Sequence, residues 1–61
     1  MDDEVLSPSQ LAERYPGVTV LTLADWRYKK TGPRFFRAGK RVFYRKADVE
    51  AWEADRVAES A

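Results

Sequence analysis

Proline and glycine cut this chain into short pieces. Pro16-Gly17, Gly32-Pro33 and Gly39 interrupt it at three points, each between stretches of helical or alternating pattern. Proline cannot continue a helix past its first turn, and glycine adopts backbone angles that other residues resist. No element before Gly39 can therefore be long, and the fold is restricted to a few short helices and strands.

Met1 to Glu4 is acidic and uncapped, and residues 1–5 are read as a disordered tail. Ser7-Pro8-Ser9-Gln10 is a helix start: Ser7 suits the N-cap, Pro8 the first helical position, and Gln10 the return bond of a capping box. Leu6 and Leu11 have the spacing of a hydrophobic staple, and Leu11, Ala12 and Tyr15 form the stripe expected to be buried. Thr19 caps a second helix, with Val18 and Leu23 as its staple. Val20, Leu23, Ala24 and Trp26 are expected inward, and Leu21, Thr22, Asp25, Tyr28 and Lys29 outward. Lys29 and Lys30 complement the helix dipole, and Thr31-Gly32-Pro33 stops the helix. Two short helices around a glycine turn form a helix-turn-helix arrangement.

Two strands follow, Arg34 to Arg37 and Arg41 to Tyr44, turned by Ala38-Gly39-Lys40. Phe36, Val42 and Tyr44 are candidates for the core face, although alternation leaves open which of Phe35 and Phe36 points inward. Lys46 to about Val57 reads as a third helix, with Val49, Trp52 and Arg56 at helical spacing. Residues 6–58 are expected to form one α+β domain, and residues 59–61 to fray.

At 61 residues the chain can bury only a modest core. It has no cysteine and no histidine, so it lacks a disulfide framework, a thiolate metal site and the commonest general base. The carboxylates sit in charge-rich segments without supporting catalytic partners, so an enzyme is the least expected class, and no cofactor or metal is expected. No apolar run reaches membrane-spanning length and the N-terminus is acidic, which predicts a soluble intracellular protein with no membrane contact.

A net charge of +1 hides a strong asymmetry. Nine of the 11 basic residues lie between Trp26 and Ala47, where no acidic residue occurs. Trp26, Tyr28, Phe35, Phe36, Phe43 and Tyr44 are interleaved among them. Basic residues and aromatics on a helix and a hairpin are the footprint of a surface that meets nucleic acid. Arg37, Lys40 and Arg41 at the hairpin tip are candidates for phosphate or minor-groove contacts. Arg34 and Arg45 at its base fit either that role or ion pairs with Asp48 or Glu50. On the second helix, Thr19, Thr22 and Tyr28 can donate to phosphates or base edges, and Arg27 can pair bidentately with guanine. Lys29 and Lys30 extend that set, while Thr19 is first of all a cap. Asp25 either accepts from a cytosine amine or positions Arg27 or Lys29. Trp26 and Trp52 have the chemistry of base-stacking platforms, but their spacing with Leu23 and Val49 favours the core.

The segments "LSPSQLAERY", "VTVLTLADWR" and "TGPRFFRAGKRVFYRKADVEAW" together resemble the small winged-helix proteins grouped as excisionases, or recombination directionality factors, of phages and integrated elements. These are relatives of the MerR-type helix-turn-helix domains. The resemblance spans about Leu6 to Arg56. It is carried by Gly32-Pro33, Gly39, Arg41-Val42, Tyr44-Arg45, Asp48-Val49-Glu50-Ala51-Trp52 and a TLxxW pattern at Thr22, Leu23 and Trp26. It implies a winged helix-turn-helix fold, with two short helices, a two-stranded β-hairpin wing and a C-terminal helix. It implies recognition of double-stranded DNA by the second helix in the major groove and by the wing in an adjacent minor groove. It also implies DNA bending that helps an integrase excise a prophage, in the cytoplasm of a bacterial host. Leu21, Ala24 and Asp25 stand where relatives often carry long polar side chains, and Phe43 where a basic residue is common, which shifts the expected affinity toward Arg27 and the wing.

Two other readings stand beside this one: a small winged-helix transcriptional regulator, and a protein-interaction module whose basic wing meets an acidic partner. The acidic third helix is either a solvated face or a partner surface. With no coiled-coil segment, two-fold dimers are not expected. The split charge, with Phe35 or Phe43 exposed on the wing, predicts copies arranged head to tail along DNA.

Overall fold

The computed structural model describes residues 4–60. They form a small α+β domain of three helices and a three-stranded antiparallel sheet. The elements are β1 (Val5–Leu6), α1 (Pro8–Arg14), α2 (Val20–Lys29), β2 (Phe36–Ala38), β3 (Arg41–Arg45) and α3 (Lys46–Ser60).

Both expected helix starts are present. The Ser7 hydroxyl accepts from the Gln10 N–H at 3.2 Å, and the Gln10 side chain accepts from the Ser7 N–H at 2.9 Å, so two otherwise unpaired donors are satisfied reciprocally. The Thr19 hydroxyl accepts from the Thr22 N–H at 3.2 Å. Between the helices, Gly17 takes a φ of 84°, as the turn requires. The end of α2 differs from the expectation. Lys30, not a glycine, adopts the left-handed conformation at φ 59°, and the Lys30 and Thr31 N–H groups donate to the carbonyls of Arg27 and Trp26. This is a Schellman closure with a lysine where glycine is usual. Gly32 is constrained by packing instead. A Cβ there would stand 3.1 Å from two carbons of Trp26, a crowded approach that favours glycine where the chain passes over this side chain.

The sheet corrects the expected two-stranded wing. Its order is β1-β3-β2, with Val5 opposite Arg45 and Leu6 opposite Tyr44 on one side. Phe36 lies opposite Phe43, Arg37 opposite Val42 and Ala38 opposite Arg41 on the other. The predicted disordered tail over residues 1–5 is therefore corrected at its end, because Val5 pairs in the sheet and the Glu4 carbonyl accepts from the Lys46 N–H at 2.9 Å. Met1 to Asp3 lie outside the described residues. That bond serves the first N–H of α3, which follows β3 directly and has no turn in which a cap could sit. The helix also runs to Ser60 instead of fraying from residue 59, and Ala61 lies outside the described residues.

Leu11, Leu23, Tyr44 and Val49 are fully buried, one from each of α1, α2, β3 and α3. Leu6, Ala12, Tyr15, Val18, Trp26 and Val42 pack around them. Val20, expected inward, is exposed, because α2 turns its Leu23 and Trp26 side to the core and leaves its first residue at the rim. Phe36, a core-face candidate, is on the outer face: its cross-strand partner is Phe43, and the core face holds Val42 and Tyr44.

A second layer of contacts joins α3 to the first two helices. The Trp26 and Trp52 rings lie 5.3 Å apart, Tyr15 meets Trp52 edge-on at 6.1 Å, and the Trp52 indole N–H donates to the Thr31 carbonyl at 3.1 Å. Both tryptophans are half-buried and packed on other aromatic rings. Arg14 makes a two-pronged ion pair with Glu53, at 2.6 and 2.9 Å, and the Tyr15 hydroxyl donates to the same carboxylate. The Arg14 hydrogen bond holds the Glu53 carboxyl down at about 2, and desolvation followed by the bond to Glu53 raises the Tyr15 hydroxyl above its ordinary range.

A depressed carboxyl stabilises the fold above its unfolded pKa and loses that contribution as pH falls through the folded value. Glu53→Gln is accordingly expected to lower stability by about 1–2 kcal/mol at neutral pH, an amount discounted for the site's partial exposure. Its deficit against the parent should vanish between pH 4.5 and 2. Thermal melts of both proteins across that range measure it, and a constant deficit would assign Glu53 a packing role instead.

Candidate nucleic-acid interface

Phe35 gathers the basic residues of the helix and the sheet. The guanidinium groups of Arg27 and Arg37 each lie 5.8 Å from its ring centre, within cation–π range, and Tyr44 packs against it at 6.3 Å. Phe35 and Arg37 are two residues apart, so an extended chain puts both on one side. Sequence reasoning missed this grouping although that spacing was its signal.

Arg27 also donates to the hydroxyl of the buried Tyr44 at 2.7 Å. That bond satisfies a polar atom that would otherwise be buried alone, and it gives Arg27, expected as a reader of guanine, a structural contact inside the domain as well. Half-buried between α2 and the sheet, Arg27 is a positioning residue that fixes the helix against β3. Beside it, Trp26, Arg27, Lys30, Gly32, Pro33, Arg34 and Phe35 line an open cleft of about 300 Å³. Its floor is aromatic and its rim carries three cations, which suits an anionic group attached to an apolar body.

The other expected residues distribute as follows. Thr19 and Thr22 are engaged with each other, their hydroxyls 3.2 Å apart, and Thr22, expected outward, is half-buried. Tyr28 is 87% exposed. Lys29 lies 3.3 Å from Asp25, so Asp25 positions this lysine. Lys40 is in the turn, and Arg41 is on the outer sheet face with Phe36, Phe43 and Arg45, whose guanidinium lies 5.9 Å from the Phe36 ring. Lys46 lies 3.3 Å from Glu4. Lys30, Arg34, Lys40 and Arg41 have no carboxylate partner among the described residues, and neither Arg34 nor Arg45 forms the ion pair with Asp48 or Glu50 that was one of their two readings. The structure thus brings Arg27, Lys30, Arg34 and Arg37 together on one side and sets Arg41 and Arg45 on the other side of the sheet.

The described residues hold no cluster of acidic or metal-ligating side chains that would bind a metal ion, and no helix among them is long and apolar enough to cross a membrane. The chain matches no protein-family model, no curated protein and no solved structure in comparisons with each.

The Arg27–Tyr44 bond is expected to matter for stability. Tyr44→Phe should cost about 1 kcal/mol, and Arg27→Gln somewhat more because it leaves a buried hydroxyl unpaired. The double variant should cost less than the sum of the two, as chemical denaturation of all four proteins would show. Additive losses would separate the two residues energetically. Lys30→Gly should be neutral or stabilising by up to about 1 kcal/mol, since glycine adopts the left-handed conformation freely.

Proposed function

We infer that this protein is a winged helix-turn-helix DNA-binding protein, with α2 as the recognition helix and the β2–β3 turn as the tip of the wing. The observation that carries the reading is the convergence of Arg27, Lys30, Arg34 and Arg37 around Phe35, beside an α2 face that no other element covers. A helix flanked by a basic hairpin can enter a major groove while the hairpin follows the adjacent backbone. The half-buried Trp26 and Trp52, packed on each other, support duplex over single-stranded DNA, because each ring is engaged in the contact between helices.

Within that class, the resemblance to excisionases favours an architectural protein that bends DNA and assists an integrase in excision, with regulation of transcription as the alternative on the same fold. The proposed partners are double-stranded DNA, neighbouring copies and an integrase. The outer sheet face supports the contact between copies: Phe36 and Phe43 stand 5.9 Å apart there, Val5 is exposed beside them, and Arg41 and Arg45 flank them. A neighbour's acidic α3, with its exposed Val57, is complementary in charge and polarity. If that surface served only a protein partner, the alternative interaction-module reading would hold, and the protein would not shift duplex DNA.

Mobility-shift titrations against duplexes at several salt concentrations test the reading. The parent should bind duplex DNA with a steep salt dependence. Lys40→Glu and Arg41→Glu should each reduce the log–log slope by about one, as expected for one lost phosphate contact. Salt-independent binding, or none, would exclude the DNA-binding reading.

A further inference from the structure

Lys30 and Arg34 are exposed cations without a carboxylate partner among the described residues, and both line the cleft of about 300 Å³ formed by the end of α2 and the segment up to Phe35. The surface beneath them is aromatic, with Trp26 half-buried and Phe35 36% exposed. Arg27 donates to Tyr44 from one nitrogen, and its guanidinium has further N–H groups to offer. Arg37 extends the row from the sheet, held 5.8 Å from the Phe35 ring centre. At the end of α2 the carbonyls of Trp26 and Arg27 already accept from the Thr31 and Lys30 N–H groups, which lessens the repulsion that a helix C-terminus exerts on an anion. Acidic residues bound the site on the α3 flank, where Arg34 also borders a groove that holds Asp48 and Asp55. Their charge turns a polyanion away from α3 and leaves the path from Lys30 and Arg34 toward Arg37 open.

A row of cations set around an aromatic ring suits a chain of repeated anions joined by apolar bodies. A small anion would use one or two of the cations and leave the ring idle. The phosphodiester backbone alternates an anion with a deoxyribose whose C–H face can rest on an aromatic side chain, and guanidinium groups match phosphate oxygens in a two-pronged geometry. We propose that the cleft is a clamp for the backbone of one strand of duplex DNA: Lys30 and Arg34 hold one phosphate, Arg37 meets the next, and the sugar between them rests on Phe35. The proposal rests on the DNA-binding reading above and names where the backbone lies. It sets the strand against the C-terminal end of α2 and the segment that follows, with Lys40 and Arg41 as a separate contact. Lys30 is the informative position, because its charge and its backbone act in opposite directions: a φ of 59° is strained for lysine and free for glycine.

Mobility-shift titrations of the full protein against a duplex at several salt concentrations provide the test. Lys30→Gly, Arg34→Gln and Arg37→Gln should each weaken binding and reduce the log–log slope by about 0.9, the value for one lost phosphate contact. Lys30→Arg should keep the parent's slope. Lys30→Gly should melt at or above the parent's temperature, so a variant at least as stable as the parent would bind DNA less well, a pair of results that a structural role for Lys30 does not produce. Equal slopes for the parent, Lys30→Gly and Arg34→Gln, with the slope of Lys40→Glu still reduced, would overturn the clamp and leave DNA binding to the wing. Lys30→Arg behaving like Lys30→Gly would overturn it as well. Polyglutamate displacing the duplex as effectively as unlabelled duplex at equal charge would overturn it and give the cleft to an acidic protein segment. Loss of salt-dependent duplex binding in the parent would remove the underlying reading, and the clamp with it.

Discussion

Tyr44 holds this domain together. It is the largest fully buried side chain, and its contacts reach β1, all three helices and the segment ahead of β2. Its backbone pairs with Leu6 of β1, its ring packs on Phe35 ahead of β2, its hydroxyl accepts from Arg27 of α2, and its neighbours in the core are Leu11, Leu23 and Val49. A phenol can occupy the centre of so small a core only if its hydroxyl is paired, because an unpaired buried polar atom costs on the order of 1–3 kcal/mol. Arg27 meets that requirement, and in doing so fixes the angle between α2 and the sheet. The geometry of the candidate interface is thus set from inside the core.

Four fully buried side chains make a thin centre for a domain, and the periphery compensates. Tyr15, Trp26 and Trp52 form an aromatic layer between the helices, and the Arg14–Glu53–Tyr15 group closes the α1–α3 side. Gly32 is part of the same layer, since the chain leaving α2 must lie directly on Trp26 to bring the Thr31 carbonyl to the Trp52 indole. Apart from Gly32 on Trp26, these contacts join residues that are distant in the chain, and none is implied by local pattern.

That distinction explains what could be read in the sequence. Ser7, Gln10 and Thr19 cap their helices by rules that involve only neighbouring residues, and they do so in the structure. Gly39 likewise turns the hairpin with a φ of 66°. The strand at Val5–Leu6 was not legible, because two residues carry no periodicity and their pairing depends on β3, far along the chain. The choice between Phe35 and Phe36 was open for a similar reason. A three-residue strand has too few positions to define a face, and the register with β3 decides that Phe35 sits with Tyr44 while Phe36 sits with Phe43. Arg27 shows the same limit within the candidate site: spacing put it on the second helix, but only the hydroxyl of Tyr44, across the fold, reveals that its guanidinium also holds the structure.

The basic stretch is therefore less uniform than its composition suggests. Lys29 and Lys46 face carboxylates, and Arg27, Arg37 and Arg45 lie against aromatic rings. Such pairing does not remove charge from the long-range field, but it fixes where each charge stands. Arg37 held on Phe35 loses less freedom on meeting a phosphate than an unrestrained arginine would, and that preorganisation favours binding. Lys30 illustrates the opposite balance. Its left-handed backbone is strained for a lysine, whereas a glycine there would close α2 without strain. The position carries a cation at the rim of the cleft in spite of that cost, and the nearest glycine, Gly32, is held to its place by Trp26. Lys30 thus holds its charge at the rim of the cleft at a local cost to the fold, which a glycine at this position would avoid.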